Sequence, residues 1–333
     1  MRVIRVIVLI ALLVAAGAAV AWYALELPIV LTQPVTVTIA RGDKTPQIAR
    51  KLDEAGLLHS PRVFTWLARW RRIDRHLRPG RYQFSDTVSL SGLLDQLHDG
   101  RAVIISVTIP EGWTESHILA YLESELGLNA DSVAAFIHDS AFVANWAPGS
   151  PGLEGYFWPE TYQFYWGAEP NTVLTELLDK SRRSFTDSLE QRAAQLGMTR
   201  HQVLTLASLI EAEAAQGSER SRIAGVFHNR LRSGWLLQCD PTVAYAMGGL
   251  PPGRLLTHND LAFESPYNTY LHPGLPPGPI CNPGPASVHA ALYPDSTDAM
   301  YFVADGSGAH IFSRSLDEHN RAIAKILRKL PHR

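Results

Sequence analysis

From Val6 to Leu25 the chain carries no charged residue and is apolar almost throughout, and a helix needs about 20 such residues to cross a bilayer. A fold for this chain must therefore leave one long helix outside any ordinary core. Arg2 and Arg5 precede the segment and Glu26 follows it. That asymmetry predicts a cytoplasmic N-terminus, with the bulk of the chain on the outer side. Trp22 and Tyr23 stand where an interfacial aromatic anchor belongs. The competing reading is a cleaved signal peptide, for which Ala15 to Ala19 offers a small-residue region. The apolar run is longer than such a peptide needs and continues through Trp22 without a small-residue site at its end, which favours an uncleaved anchor over residues 1–27.

The remaining length of a 333-residue chain exceeds one core of ordinary size, so more than one folded unit is expected after the anchor. The net charge is −2 and the basic residues are spread along the chain, which gives no footprint for nucleic acid. The two cysteines, Cys239 and Cys281, lie far apart; in an oxidising compartment they either pair or stay free, and spacing does not decide. There is no His-Glu-x-x-His and no Cys/His spacing of a zinc site, so no metal or cofactor is expected.

Residues 28–102 read as a connector and a small α+β unit. Pro28 to Pro34 is short and extended, Val35 to Ile39 alternates as a strand, and Arg41-Gly-Asp43 is a turn. Thr45 is placed to cap a helix through Ile48 and Leu52, a second helix runs from Pro61, Gly80 to Phe84 is a strand, and a helix from Ser89 stops at Gly100. With Gly42, Ile48, Ala49 and Leu52 at the turn and helix core, this unit resembles a LysM-like glycan-binding subdomain; a structural spacer that binds nothing fits the same pattern. Residues 103–333 form a larger mixed α+β region. Asn171 is placed to cap a long helix, residues 238–285 are rich in Pro, Gly, Asn and Asp, and Tyr301 to Phe312 reads as a hairpin around Asp305-Gly-Ser-Gly308. Ordered loops of that composition on a scaffold are where sites tend to lie.

One helix in this region carries an acid where apolar residues should sit. Thr199-x-x-Gln202 is a capping box, and Val203, Leu206 and Ile210 recur at helical spacing. At about 100° per residue, Glu213 lies roughly 60° from Ile210, while Glu211 projects roughly 100° from it on the other flank. A carboxyl half-buried on an apolar face tends to keep its proton and can act as a general acid at neutral pH. The plainer reading is a solvated carboxylate paired with Arg220 or Arg222.

Five segments bear on that choice: Leu153-Glu-Gly-Tyr-Phe-Trp-Pro-Glu-Thr-Tyr162, Ala207-Ser-Leu-Ile-Glu-Ala-Glu213, Val226 to Leu231 with Leu237-Gln-Cys-Asp-Pro-Thr242, Tyr267-Asn-Thr-Tyr270 with Gly274 to Ile280, and Tyr301 to Gly306. Through them the chain resembles the MltG/YceG-like family of membrane-anchored endolytic murein transglycosylases, over nearly everything after the anchor. The resemblance implies a lyase that cuts peptidoglycan strands between N-acetylmuramic acid and N-acetylglucosamine without water and leaves 1,6-anhydro ends. It implies Glu213 as the single acid/base, since the acid of lytic transglycosylases closes a helix ahead of a small, usually hydroxylated, residue. Here that residue is Ala214, so any hydrogen bond from that side chain is absent and is either supplied from elsewhere or dispensed with. Glu211 becomes a supporting group or a partner for Arg230, itself read as a structural ion-pair residue.

Gln238 and Asp240 are candidates for contacting sugar hydroxyl and acetamido groups, although Asp240 also suits a capping role in an Asp-Pro turn. Cys239 stands where the family more often has Thr. Tyr267 and Tyr270 are candidates for a stacking wall or for packing, and Asn268 for an amide donor. Two other readings remain: a glycoside hydrolase using Asp240 or Glu211 as second carboxylate, and a non-catalytic glycan-binding scaffold. The expected partners are glycan strands, the bilayer through Val6 to Leu25, and peptidoglycan synthases by family resemblance alone; the expected location is the bacterial inner membrane with the catalytic domain outside the cytoplasm.

Overall fold

The computed structural model describes residues 2–251 and 254–329. They form two compact units, one of residues up to Ser106 with Glu125–Leu128 and Gln163–Glu169, the other of Val107–Ser124, Asn129–Tyr162 and the chain from Pro170 onward.

The first unit opens with helix α1 (Arg2–Leu25). The side chains of residues 2–6, 18, 21, 24 and 25 lie outside the described residues, so the expected span from Val6 to Leu25 falls partly outside them. Among the described residues no helix is long and apolar enough to cross a membrane. Then follow β1 (Ile29–Val30), β2 (Val35–Ile39), α2 (Thr45–Glu54), α3 (Pro61–Trp70), β3 (Gly80–Phe84), β4 (Thr87–Val88) and α4 (Leu90–Asp99). Strand β2 pairs antiparallel with β3, Val37 opposite Tyr82, and β1 pairs with β4. Alternation sends Val37, Ile39, Tyr82 and Phe84 to the inner face, where Ile48, Leu52, Phe64, Leu67, Leu94 and Leu97 from the three helices meet them. Each such side chain contributes about 1.5–3 kcal/mol on burial. This is the strand, helix, helix, strand order expected, with Gly42 at φ 87° in the turn, a conformation that glycine adopts without steric cost.

One cap differs from expectation. Thr45 is the first helical residue and Lys44 the N-cap; the Thr45 hydroxyl is taken up by the Asp74 carbonyl at 2.5 Å. Ser89 does cap α4, accepting the Gly92 N–H at 3.1 Å.

The chain continues through β5 (Ile104–Thr108), α5 (Glu115–Leu126), α6 (Ala130–Ile137), α7 (Ser140–Trp146), β6 (Thr161–Tyr165), α8 (Pro170–Ser184) and α9 (Asp187–Gln195). After these come α10 (Arg200–Glu213), α11 (Arg220–Arg232), α12 (Asp240–Ala246), α13 (Pro285–Leu292), β7 (Tyr301–Ala304), β8 (His310–Ser313) and α14 (Leu316–Lys329). Asn171 lies inside the first turn of α8, not at its cap. Strands β7 and β8 form the expected hairpin, Phe302 opposite Phe312.

Helix α10 is the centre of the second unit. The capping box is present, with Thr199 Oγ1 accepting the Gln202 N–H at 3.2 Å and Gln202 Oε1 accepting the Thr199 N–H at 2.8 Å. Every residue from Val203 to Ile210 is buried, so the helix has no solvated flank over that stretch, and the expected one-sided stripe is a buried cylinder. Its polar members are satisfied locally: Thr205 donates to the His201 carbonyl at 2.8 Å, and Ser208 donates to the Thr205 carbonyl at 2.7 Å while accepting the Ile280 N–H at 3.0 Å. A glycine in α11 lets the segment after α13 approach closely. A side chain at Gly225 of α11 would stand 2.7 Å from the Asp295 carbonyl. Beyond Ile210 the helix emerges from the core in its last turn, which carries Glu211 and Glu213.

Candidate active site

The two glutamates at the end of α10 meet opposite surroundings. Glu211 accepts a hydrogen bond from Arg220 at 3.0 Å and the Gly284 N–H at 3.0 Å. Its side chain is only 8% exposed. It is a neutralised structural carboxylate, held by Arg220 and not by Arg230. Arg222, the other partner considered for Glu213, lies over the Phe312 ring at 4.3 Å.

Glu213 is the last helical residue, with Ala214 turning out of the helix at φ −80°, ψ 91°. Part of the residue remains reachable by solvent. Burial of the carboxyl raises its pKa to about 7, the nearby Asp240 charge adds to this, and a hydrogen bond from Cys239 with the charges of His310 and Arg230 opposes it. No arginine or lysine forms an ion pair with it among the described residues. The carboxyl is thus poised between its two protonation states at neutral pH, as proton transfer in both directions requires.

A loop preceding α12 closes the site. Gln238 adopts φ 49°, a left-handed conformation costly for a side chain of its size, and donates its N–H to the Thr269 carbonyl at 3.1 Å. That twist delivers Cys239 inward and Asp240 outward. Cys239 is fully buried and free; burial and the neighbouring Glu213 charge keep its thiol protonated. Its backbone is pinned by Thr269, whose Oγ1 accepts the Cys239 N–H at 3.0 Å, and by Thr242, which donates to the Cys239 carbonyl at 2.7 Å. Cys281 is also free and buried, its thiol directed to the Ser208 carbonyl at 3.5 Å.

Asp240 is exposed, opens α12 and accepts the Tyr270 hydroxyl at 2.5 Å. Tyr267 leans on Tyr245, ring centroids 5.1 Å apart. Asn268, expected as a donor to substrate, is fully buried. Its amide donates to the Leu261 and Phe263 carbonyls at 3.0 and 2.8 Å and its oxygen accepts the Tyr270 N–H at 2.9 Å, so it builds the turn that presents the two tyrosines and has no donor left for a ligand. Arg230 is buried, donating to the Met300 and Leu237 carbonyls at 2.8 and 2.5 Å. It fastens β7 and the Gln238 loop to α11 through backbone carbonyls, where an ion pair was expected.

Two site residues escape a sequence reading. His310 bonds Glu219 twice, ring Nδ1 to Oε2 at 2.7 Å and backbone N–H to Oε1 at 2.9 Å, and its charge acts on Glu213. Nothing in the local pattern of a hairpin strand separates this histidine from a packing one.

One carboxyl with a pKa raised to about 7, a thiol donor behind it and a flanking carboxylate make an arrangement able to carry out general acid/base chemistry. The profile of the YceG-like family matches residues 37–325. The chain is 32% identical over 311 residues to the endolytic murein transglycosylase of Bacillus subtilis strain 168, covering 88% of this chain and 85% of that protein. It is 29% identical over 324 residues to the enzyme of the same name from Streptococcus pneumoniae D39, covering 87% of this chain and 58% of that longer protein. The solved structure of a yceG-like protein from Listeria monocytogenes superposes with a TM-score of 0.62 at 31% identity, covering 87% of this chain and 99% of that one. The chain belongs to the YceG-like family.

Proposed function

We propose that the protein is an endolytic peptidoglycan lytic transglycosylase in which Glu213 alone serves as acid and base. The observation carrying this is the carboxyl at the end of α10, lifted by burial to about 7 and, among the described residues, in no ion pair with an arginine or lysine. Protonated, it gives its proton to the glycosidic oxygen as the bond from C1 of N-acetylmuramic acid breaks. As carboxylate, it takes the proton from that sugar's own C6 hydroxyl as O6 closes onto C1. The proton returns to Glu213, no water is consumed, and the products are a new 4-hydroxyl end and a 1,6-anhydro end. Relatives bearing the name endolytic murein transglycosylase support the substrate class.

A hydrolase of the same bond would need Asp240 or Glu211 as a second carboxylate, and Glu211 is taken up by Arg220 and the Gly284 N–H. Asp240 is exposed and engaged by Tyr270, which suits a group that orients Tyr270 and the sugar. Mass analysis of products from purified sacculi decides: anhydro ends support the lyase, and reducing ends overturn it.

We further propose that Val6 to Leu25 anchors the enzyme in the inner membrane, N-terminus in the cytoplasm. Support comes from the charge asymmetry of Arg2 and Arg5 and from Ile7, Leu9, Leu12 and Leu13, each more than half exposed on α1. A short connector then restricts the enzyme to nascent strands near the membrane, where cleavage ends elongation in company with synthases and the β2–β3 unit serves as a LysM-like glycan contact. Alkaline extraction of membranes tests the anchor; release of the chain into the soluble fraction would sink it.

A further inference from the structure

A second carboxyl in the catalytic unit is buried and has no part in the chemistry above. Glu154 lies in the loop after α7, and both of its oxygens accept the Glu115 N–H at the start of α5, at 3.0 and 3.1 Å. Oε1 also accepts Asn282 Nδ2 at 3.1 Å, and Oε2 faces the Tyr245 hydroxyl at 3.4 Å. Asn282 is itself fully buried and fixed by the Phe157 N–H at 2.8 Å and the Trp113 carbonyl at 2.9 Å. A carboxyl held this firmly in a largely desolvated position, with a second carboxyl at Glu115 beside it, is a poor device for stability, because burial works against both charges. Burial raises Glu154 to about 8, against the hydrogen bond from the Glu115 N–H, which lowers it, and with the charge of the Glu115 carboxylate adding to the rise.

The carboxyl stands at the wall of a cavity of about 710 Å³, whose other walls include Glu115, Tyr245, Tyr267 and the open backbone of Gly248 and Gly249. That volume lies in the range of small-molecule sites, roughly 300–1,000 Å³, and the lining mixes aromatic and small residues with the polar side chains of Thr114, Glu115, Ser116, His117, Ser150 and Glu154, which suits a hydroxylated ligand. The tyrosine rings, 49° apart, supply faces against which the C–H side of a pyranose packs. Gly248 and Gly249 have nothing within 4 Å of where a Cβ would stand.

Two elements connect the cavity to Glu213. Helix α12 begins at Asp240, whose charge Glu213 feels, and carries Tyr245 five residues later, a rise of about 7.5 Å at 1.5 Å per residue. The turn built by Asn268 sends Tyr270 to Asp240 and Tyr267 to Tyr245. Ligand held in the cavity is therefore positioned relative to the acid by the same residues that position Asp240.

We propose that this cavity is a sugar subsite, taking an N-acetylated hexopyranose of the strand one ring removed from the scissile bond, with Tyr245 and Tyr267 against the ring face and Glu154 and the Tyr245 hydroxyl on its polar edge. The assignment rests on the glycan-cleaving reading above. It makes Glu154 and the tyrosines determinants of strand binding, whereas Glu213 governs the chemical step.

The test is titration of chitotetraose into the full-length Glu213→Gln chain in detergent micelles. Tyr267→Ala added to that background removes part of the ring face, and Ser116→Trp, at an exposed position lining the cavity, blocks its entrance without disturbing the core. Expected is a loss of affinity of about tenfold or more for both, with Ser116→Trp melting at the parent temperature, so that a folding defect in Tyr267→Ala leaves the conclusion standing. If the parent binds chitotetraose and Ser116→Trp binds it equally well, the subsite assignment falls while the glycan reading survives. If the parent binds no oligosaccharide, both fall.

Discussion

The buried thiol of Cys239 acts as a donor toward the carboxyl of Glu213, drawing the carboxyl's pKa down while the thiol's own is held up. A donor aimed at a carboxylate stabilises the charged form, so this bond is the leading force pulling the Glu213 pKa down against its burial. The hydroxyl residue that lytic transglycosylases carry after the acid is Ala214 here, and the bond arrives instead from the loop twisted by Gln238. Cys239→Ala therefore raises the Glu213 pKa and moves the alkaline limb of the pH–rate profile upward, while Cys239→Ser, with a hydroxyl in the same place, keeps that limb near the parent value. An unchanged limb in Cys239→Ala would remove the thiol from the mechanism.

The pH dependence follows from Glu213 itself. The acid must carry its proton when the leaving oxygen departs, so kcat falls as pH rises through about 7. The same shift acts on stability. The folded pKa lies above the unfolded value, so the folded chain binds the proton more tightly, and the stabilisation present below the unfolded pKa is lost as pH rises through about 7. Glu213→Gln, which is never charged, should be more stable than the parent at pH 8.5 by on the order of 2 kcal/mol, and equal to it at pH 4. Activity of that variant should drop by roughly 10²–10⁴-fold. Paired urea melts at the two pH values and a muropeptide release assay provide the readout; retained activity would exclude Glu213 as the acid.

Local rules in the chain located much of this. The Thr199 and Gln202 box, the Gly100 stop and the Tyr301 to Phe312 hairpin each follow from interactions within a few residues, and all are present. What periodicity could not sort was the pair of glutamates, because α10 is buried all round from Val203 to Ile210 and its wheel there has no solvent side to serve as reference. Their difference is made by long-range partners: Arg220 and Gly284 for Glu211, Cys239 and His310 for Glu213. Asn268 was legible as an amide in a loop and not as a buried one, since the carbonyls of Leu261 and Phe263 that consume its donors belong to an irregular loop without a period.

Glu211 and Arg220 form a partly buried pair, side chains 8% and 17% exposed. Removing one partner of such a pair strands the other, so Arg220→Ala should cost about 2–4 kcal/mol, more than Glu211→Gln, which keeps an oxygen for the Gly284 N–H. Both variants should retain kcat within about tenfold once folded, because neither residue hands over a proton in this scheme. A kcat loss in Glu211→Gln as large as that of Glu213→Gln would reassign the acid.

Gln238 sits at φ 49° between the fully buried Leu237 and Cys239, and a left-handed conformation costs an ordinary residue about 1–2 kcal/mol. Glycine adopts it freely, at the expense of a larger entropy loss on folding of about 0.5–1 kcal/mol. Gln238→Gly should therefore be neutral or stabilise the chain by up to about 1 kcal/mol. The exposed side chain stands beside Asp240, so its loss should raise KM for glycan while the pH–rate profile stays in place. A rise in melting temperature with unchanged KM would show that the strain serves only to aim Cys239 at Glu213 and that the Gln238 amide makes no contact with substrate.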